Sequence, residues 1–239
     1  MRDRMFTRGL VTPYELASTY LKRTVKLGIY LAEDYSALHE HAVVLAFDGQ
    51  DFSQLGQLHR QYQRLYDERE LRRAIIIFIH YPDIETRSND YHPESTGQNE
   101  MIQFVTSELE PFLTEHFMVS DERLAMGDSL SASLALALSL ADNRYDQAAL
   151  FSPMVTDTTL RAVDQLEHQV RYYQVIGNEE SAFQLKNGET ADFLTPNRAL
   201  HQAFEEKGIE HVYHEIDGGH TWKTWKPEIA SALQYFLTV

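Results

Sequence analysis

The chain has 239 residues, 43% apolar and 24% charged, which fits one globular α/β domain spanning 1–239 and excludes disorder. With 36 acidic against 21 basic side chains the formal charge is −15, so the surface repels nucleic-acid phosphates and anionic lipid. There is no cysteine, which excludes disulfides, thiol catalysis and thiolate metal sites and suits a reducing compartment.

Taken in chain order, Met1-Arg2-Asp3-Arg4-Met5-Phe6 carries charges with no apolar run behind them, so no export signal is expected. Residues 11–19 and 24–31 alternate apolar and polar side chains, the pattern of two antiparallel strands at a sheet edge. Residues 42–48 (AVVLAFD) and 74–80 (AIIIFIH) are continuous apolar runs, as in strands buried on both faces of a parallel sheet. Between them Leu55, Leu58, Tyr62 and Leu65 recur at helical spacing. Residues 98–117 form a second amphipathic helix, with Ile102, Val105, Leu109 and Phe112 on one face. A short strand at 123–126 leads into a helix over 130–141, too short for the roughly 20 residues a bilayer span requires, so a cytoplasmic protein with no membrane partner is expected. Strands at 148–151 and 172–176 bracket a helix at 160–168. A helix over 197–207 stops at Gly208, a strand follows at 211–216, and Pro227 opens a closing helix to 237. This alternation predicts a mostly parallel central sheet with helices on both faces, and ligands in such sheets bind beyond the carboxyl ends of the strands.

The polar residues gather in those post-strand loops. Gly127-Asp128-Ser129-Leu130-Ser131 sits between strand and helix, the context of a nucleophile elbow: a tight turn exposes the serine hydroxyl, and small residues two before and two after let strand and helix approach. Ser131 stands where glycine is usual. At the helix start the N–H of Leu130 is available to an oxyanion, although Ser129 could equally be a simple helix cap. Gly218-Gly219-His220 follows the last strand, and the chain order serine, acid, histidine is that of α/β hydrolases, with His220 as base. For the acid, Glu179, Glu180 and Asp192 all follow the strand at 172–176 and stay open, while Asp217 is too near His220 in sequence. A second oxyanion N–H is expected from Gln50 or Asp51 after the Asp48-Gly49 turn. The close histidine pairs His39/His41 and His211/His214 lack a carboxylate-rich ligand set and read as solvated side chains, so no metal is expected. Loops 81–97 and 177–195 are expected to shape the substrate pocket.

The order of these motifs resembles the putative-esterase family of α/β hydrolases, which includes siderophore esterases, S-formylglutathione hydrolases and feruloyl esterases. The resemblance rests on Asp48-Gly49-Gln50-Asp51, Arg87 with Asp90-Tyr91, Glu108-Leu109-Glu110-Pro111-Phe112, the serine turn, Phe151-Ser152-Pro153, Asn197-Arg198-Ala199-Leu200 and Gly219-His220-Thr221-Trp222 with Trp225. It implies a Ser-His-acid hydrolase of small-molecule esters that needs no cofactor. It points to Glu180 as the acid, although residues 181–195 are an insertion there and some siderophore esterases look like Ser-His dyads. Self-association is left open.

Three other readings stand beside it. Gly127-Asp128-Ser129-Leu130 spells the GDSL block of another hydrolase fold, but that block follows the first strand, and here several strands precede it. The other two keep the fold: a thioesterase or acyltransferase, and an inactive hydrolase-like binding module.

Overall fold

Every residue of His41–Phe47 and Ala74–Ile79 is buried in the computed structural model, which describes residues 6–184, 188 and 190–239. The charged N-terminal start, residues 1–5, and positions 185–187 and 189 of the 181–195 insertion lie outside the described residues. The strands are β1 (Val11–Ser18), β2 (Arg23–Leu31), β3 (His41–Phe47), β4 (Ala74–Ile79), β5 (Val119–Asp128), β6 (Gln147–Phe151), β7 (Arg171–Gly177), the short β8 (Phe183–Gln184) and β9 (Thr190–Ala191), and β10 (Glu210–Ile216). Among the described residues the main sheet has eight strands in the order β1-β2-β4-β3-β5-β6-β7-β10, while β8 and β9 pair with each other. From β4 to β10 the pairing is parallel throughout; β2 joins β4, and β1 joins β2, antiparallel. This is the α/β-hydrolase fold that the element order predicts.

Alternation along the central strands builds two cores. Val43, Leu45 and Phe47 face one side with Ile75, Ile77 and Ile79; Ala42, Val44 and Ala46 face the other with Ile76 and Phe78. Ten α-helices among the described residues cover them: α1 (Gly49–Gln54), α2 (Leu58–Asp67), α3 (Ile84–Tyr91), α4 (Thr96–Phe104), α5 (Glu110–His116), α6 (Leu130–Ala141), α7 (Asp157–Asp164), α8 (Leu194–Lys207), α9 (Trp222–Trp225) and α10 (Glu228–Leu237). Side chains of α3 to α8 pack on the first face, and those of α1, α2, α9 and α10 on the second.

The structure corrects the sequence reading in several places. The helix expected over 98–117 is interrupted by a π-turn at Val105–Leu109 between α4 and α5. Pro111 lacks the N–H that would bond the carbonyl four residues back, and the N–H of Glu110 reaches Val105 instead. Loop 81–97 contains α3, capped by Asp83, whose side chain accepts from the N–H of Thr86 at 2.8 Å. The serine strand is longer than 123–126, and the helix expected at 160–168 is α7, shifted toward the amino end and opened by a Thr156 capping box. Of the four histidines read as solvated, His39 is exposed and His41 is not, while His211 and His214 are partly exposed. His41 is buried against Tyr35, and burial lowers its pKa below the ordinary imidazole value. His211 bonds His201 at 2.8 Å, and His214 bonds Glu228 at 2.8 Å.

Candidate active site

Ser129 occupies the turn between β5 and α6 with φ 54° and ψ −123°, a conformation that costs energy for a residue with a Cβ and that a strand-to-helix elbow imposes. The tightness of the turn is visible at Gly127. A Cβ there would lie 2.2 Å from both the carbonyl carbon and oxygen of Ser131. The smaller-than-usual tolerance at Ser131 is met by its hydroxyl, which accepts from the N–H of Asp128 at 2.7 Å and donates to the Asp128 carbonyl at 2.8 Å. Two parallel strands, β3 and β4, precede β5 in the chain, which is not the arrangement in which a GDSL block follows the first strand.

Across the sheet edge, His220 follows β10 on the Gly218-Gly219 turn. Gly218 has φ 139°, and a side chain on it would meet Thr224 at 2.4 Å. Thr224 fixes this turn by donating to the Gly219 carbonyl at 2.7 Å. The imidazole Nε2 is 2.8 Å from Ser129 Oγ, and Nδ1 is 2.6 Å from Glu180 Oε2. Phe193, Phe183 and Trp225 surround the ring with centroids 4.3, 4.7 and 4.9 Å away. These contacts fix the ring plane and keep water from its sides.

Glu180 is the best-held of the three acid candidates. It lies in a 3-10 turn just after β7 and is 1% exposed. Its Oε1 accepts from the N–H of Gly177 at 2.9 Å and from Ser152 Oγ at 2.7 Å, which leaves Oε2 for the histidine. A buried carboxylate needs such partners to replace the water it has lost. Glu179 next to it is exposed, and Asp192 is exposed and caps the N–H of Thr195 at 3.0 Å. Ser152 and Trp225 stand in this network although neither was a candidate: Trp225 Nε1 donates to Ser152 Oγ at 2.8 Å. The signal available in the sequence was the Phe151-Ser152-Pro153 run at a strand end and the tryptophan shortly after His220.

Leu130 and Gln50 both lie in the first turn of a helix, α6 and α1, where N–H groups have no intrahelical acceptor. Asp51 is less suited, because its N–H is already bonded to the Asp48 carbonyl at 2.8 Å. Gly49 lets this loop lie against β4: a Cβ would sit 2.5 Å from the carbonyl carbon of Phe78. A cavity of about 250 Å³ opens beside Gln50, lined also by Arg23, Lys26, His80, Tyr81 and Pro82. A larger cleft of about 540 Å³, between Leu166 and Arg171 and at Glu210, lies at the opposite, amino edge of β7 and β10, away from Ser129. Among the described residues no cluster of three or more His, Asp or Glu is arranged to hold a metal, and no helix is long and apolar enough to cross a membrane.

The strained serine turn on a mid-chain parallel strand, with a histidine after the last strand, defines the class as an α/β hydrolase. The chain belongs to the family described as "Putative esterase", which matches residues 18–236. It is 34% identical over 236 residues to the uncharacterized protein YjcH of Bacillus subtilis (strain 168), covering 96% of this chain and 98% of that one. Solved structures share the fold at low identity. The BES protein from Bacillus cereus has a TM-score of 0.79 at 14% identity, with 99% of each chain covered. The enterobactin esterase FES from Shigella flexneri has a TM-score of 0.82 at 16% identity, covering 98% of this chain and 61% of that one. An IroE-like serine hydrolase from Shewanella oneidensis has a TM-score of 0.80 at 16% identity, covering 94% and 79%.

Proposed function

We propose that the chain hydrolyses small-molecule carboxylic esters through a covalent acyl-enzyme, as a single catalytic domain that requires no cofactor. Ser129 Oγ attacks the ester carbonyl while its proton passes to His220 Nε2. The carbonyl oxygen becomes an oxyanion, held by the N–H groups of Leu130 and Gln50. Glu180 keeps the imidazole oriented through Nδ1 and stabilises it while it is positively charged. The tetrahedral intermediate collapses, the C–O bond to the alcohol breaks, and His220 returns the proton to the departing oxygen. Water then enters, gives its proton to His220 and attacks the acyl carbon, and Ser129 leaves with the proton restored.

The observation that carries this reading is the unbroken line Glu180 Oε2, His220 Nδ1, His220 Nε2, Ser129 Oγ, with spacings of 2.6 and 2.8 Å. The presence of esterases among proteins of similar fold supports an oxygen ester as substrate over other acyl compounds. A fluorophosphonate probe followed by peptide mass mapping tests it. The label is expected on Ser129; ester hydrolysis that persists with the label elsewhere, or with no label, overturns the assignment.

A further inference from the structure

Beside the serine turn lies a second buried charge cluster that the acyl-transfer steps leave unused. Arg87, on α3, reaches Asp48 at the end of β3 with two prongs: Nε is 2.8 and 2.9 Å from the two carboxylate oxygens, and Nη2 is 2.5 Å from Oδ2. The Asp48 side chain is almost wholly buried and that of Arg87 is 17% exposed. The guanidinium lies over the rings of Tyr81 and Tyr91, 5.6 and 5.7 Å from their centroids. Asp128, immediately before Ser129, is buried in the same cluster. The Ser131 hydroxyl, which donates to the Asp128 main-chain carbonyl at 2.8 Å, lies 3.5 Å from the Asp128 carboxylate.

Sequence position gives this cluster its meaning. Asp48 has φ 54°, a left-handed conformation that turns the chain into the Gly49-Gln50 loop. Asp128 adjoins Ser129, whose positive φ turns the chain into Leu130. The loops that carry the two proposed oxyanion donors are far apart in the chain and meet at this cluster: Arg87 bonds Asp48 beside one of them, and the buried Asp128 carboxyl beside the other lies within reach of its charge.

A developing oxyanion is disfavoured by any net negative charge held nearby in a dry site. Two carboxylates and one guanidinium leave an excess of one negative charge unless one carboxyl keeps its proton. Burial pushes the Asp128 carboxyl well above the usual range, and the charge of Asp48 adds to this while Arg87 opposes it. Burial opposes the charge on Arg87 too, but the bonds and charge of Asp48 outweigh it and hold the guanidinium firmly protonated. Asp51 on α1 adds a further negative influence on both carboxylates, and Tyr81 and Tyr91 complete the titratable groups facing them.

We infer that Arg87 is a positioning residue for the proposed esterase reaction: its two-pronged contact with Asp48 sets the Gln50 loop against the serine turn, and its charge keeps the paired carboxylates from opposing the oxyanion. The inference rests on the acyl-enzyme reading.

The test is steady-state hydrolysis of p-nitrophenyl butyrate from pH 6 to 9 by wild type, Arg87→Lys, Arg87→Gln and the double variant Asp48→Asn/Arg87→Gln, with melting curves for each. Arg87→Gln is expected to lower kcat by about 100-fold, the scale of losing one oxyanion donor, with KM changed less than about threefold. The deficit should deepen as pH rises, because the unbalanced carboxylates ionise. Removing the Asp48 charge in the double variant should lessen that deepening, because only Asp128 remains to ionise. Arg87→Lys keeps the charge and loses the fork, so a loss of about tenfold that does not vary with pH is expected. It also carries the test if Arg87→Gln fails to fold. A kcat for Arg87→Lys and Arg87→Gln equal to wild type, or a deficit in Arg87→Gln that is constant with pH, overturns the inference. A wild type that neither hydrolyses the ester nor accepts a fluorophosphonate overturns the hydrolase reading and this one with it; a labelled, active wild type with unaffected Arg87 variants overturns this one alone.

Discussion

Ser152 donates its hydroxyl to Glu180 at 2.7 Å from the neighbouring strand end, and so holds the carboxylate oxygen that does not face His220. Ser152 adopts φ 50° to reach this position, and its N–H bonds the Val175 carbonyl at 2.8 Å. Trp225 supplies the hydrogen that satisfies the same hydroxyl oxygen, so strands β6 and β7 and helix α9 meet at one atom.

Ser152→Ala removes one of the two donors to Glu180 Oε1 and leaves Trp225 Nε1 without its acceptor. The carboxylate is then free to turn away from the imidazole. A kcat about tenfold lower is expected, with KM little changed, in line with the worth of one hydrogen bond to a charged group. Steady-state kinetics with p-nitrophenyl butyrate measures it; a wild-type kcat means that Gly177 alone suffices to hold Glu180.

Three acids followed the same strand in the sequence, and their substitutions should separate cleanly. Glu180→Gln is expected to lower kcat by about 10³–10⁴-fold, the scale of losing the orienting acid of a triad. Glu179→Gln and Asp192→Asn should stay within about twofold of wild type, since both side chains are exposed and neither is bonded to His220. Equal activity for Glu180→Gln would make the site a Ser-His dyad.

Stability should respond to pH through Asp128. Its folded-state carboxyl is pushed well above the value of about 3.9 it has in the unfolded chain. The folded protein therefore holds a proton that the unfolded chain has lost. The contribution is fully present below that unfolded value and is lost as pH rises toward the folded one, by at most about 1.4 kcal/mol per pH unit. Asp128→Asn keeps the shape of the protonated acid and removes the titration. Its Tm relative to wild type is expected to rise as pH is raised above the unfolded value; a difference that does not vary with pH means that Asp128 is ionised in the fold.

Most of the sheet was legible because buried parallel strands are continuous apolar runs, as at His41–Phe47 and Ala74–Ile79, and because the closing helices carry glycine and proline at their ends. Helix α3 was not, since Ile84-Glu85-Thr86-Arg87-Ser88-Asn89-Asp90-Tyr91 has no apolar stripe. It is held by the Asp83 cap and by the tertiary contacts of Arg87 and Tyr91, which no local pattern encodes. At the site, Ser129 and His220 stood out by their position in the element order. Glu180 did not stand out from Glu179, because what distinguishes them is a single 3-10 turn that directs one inward and leaves its neighbour in solvent. Ser152 was hidden for a similar reason: its importance comes from a left-handed backbone at a strand end, and serine carries no sequence signal for that.

The most direct measurement is the rate of p-nitrophenyl butyrate hydrolysis by wild type and by Ser129→Ala, with matched melting curves to show that both are folded. The Ser129 hydroxyl, 2.8 Å from His220 Nε2, is the proposed nucleophile, so kcat should fall by on the order of 10⁴-fold or more while Tm stays level, because alanine keeps the Cβ and the backbone of the turn. Equal rates for the two proteins would contradict the account.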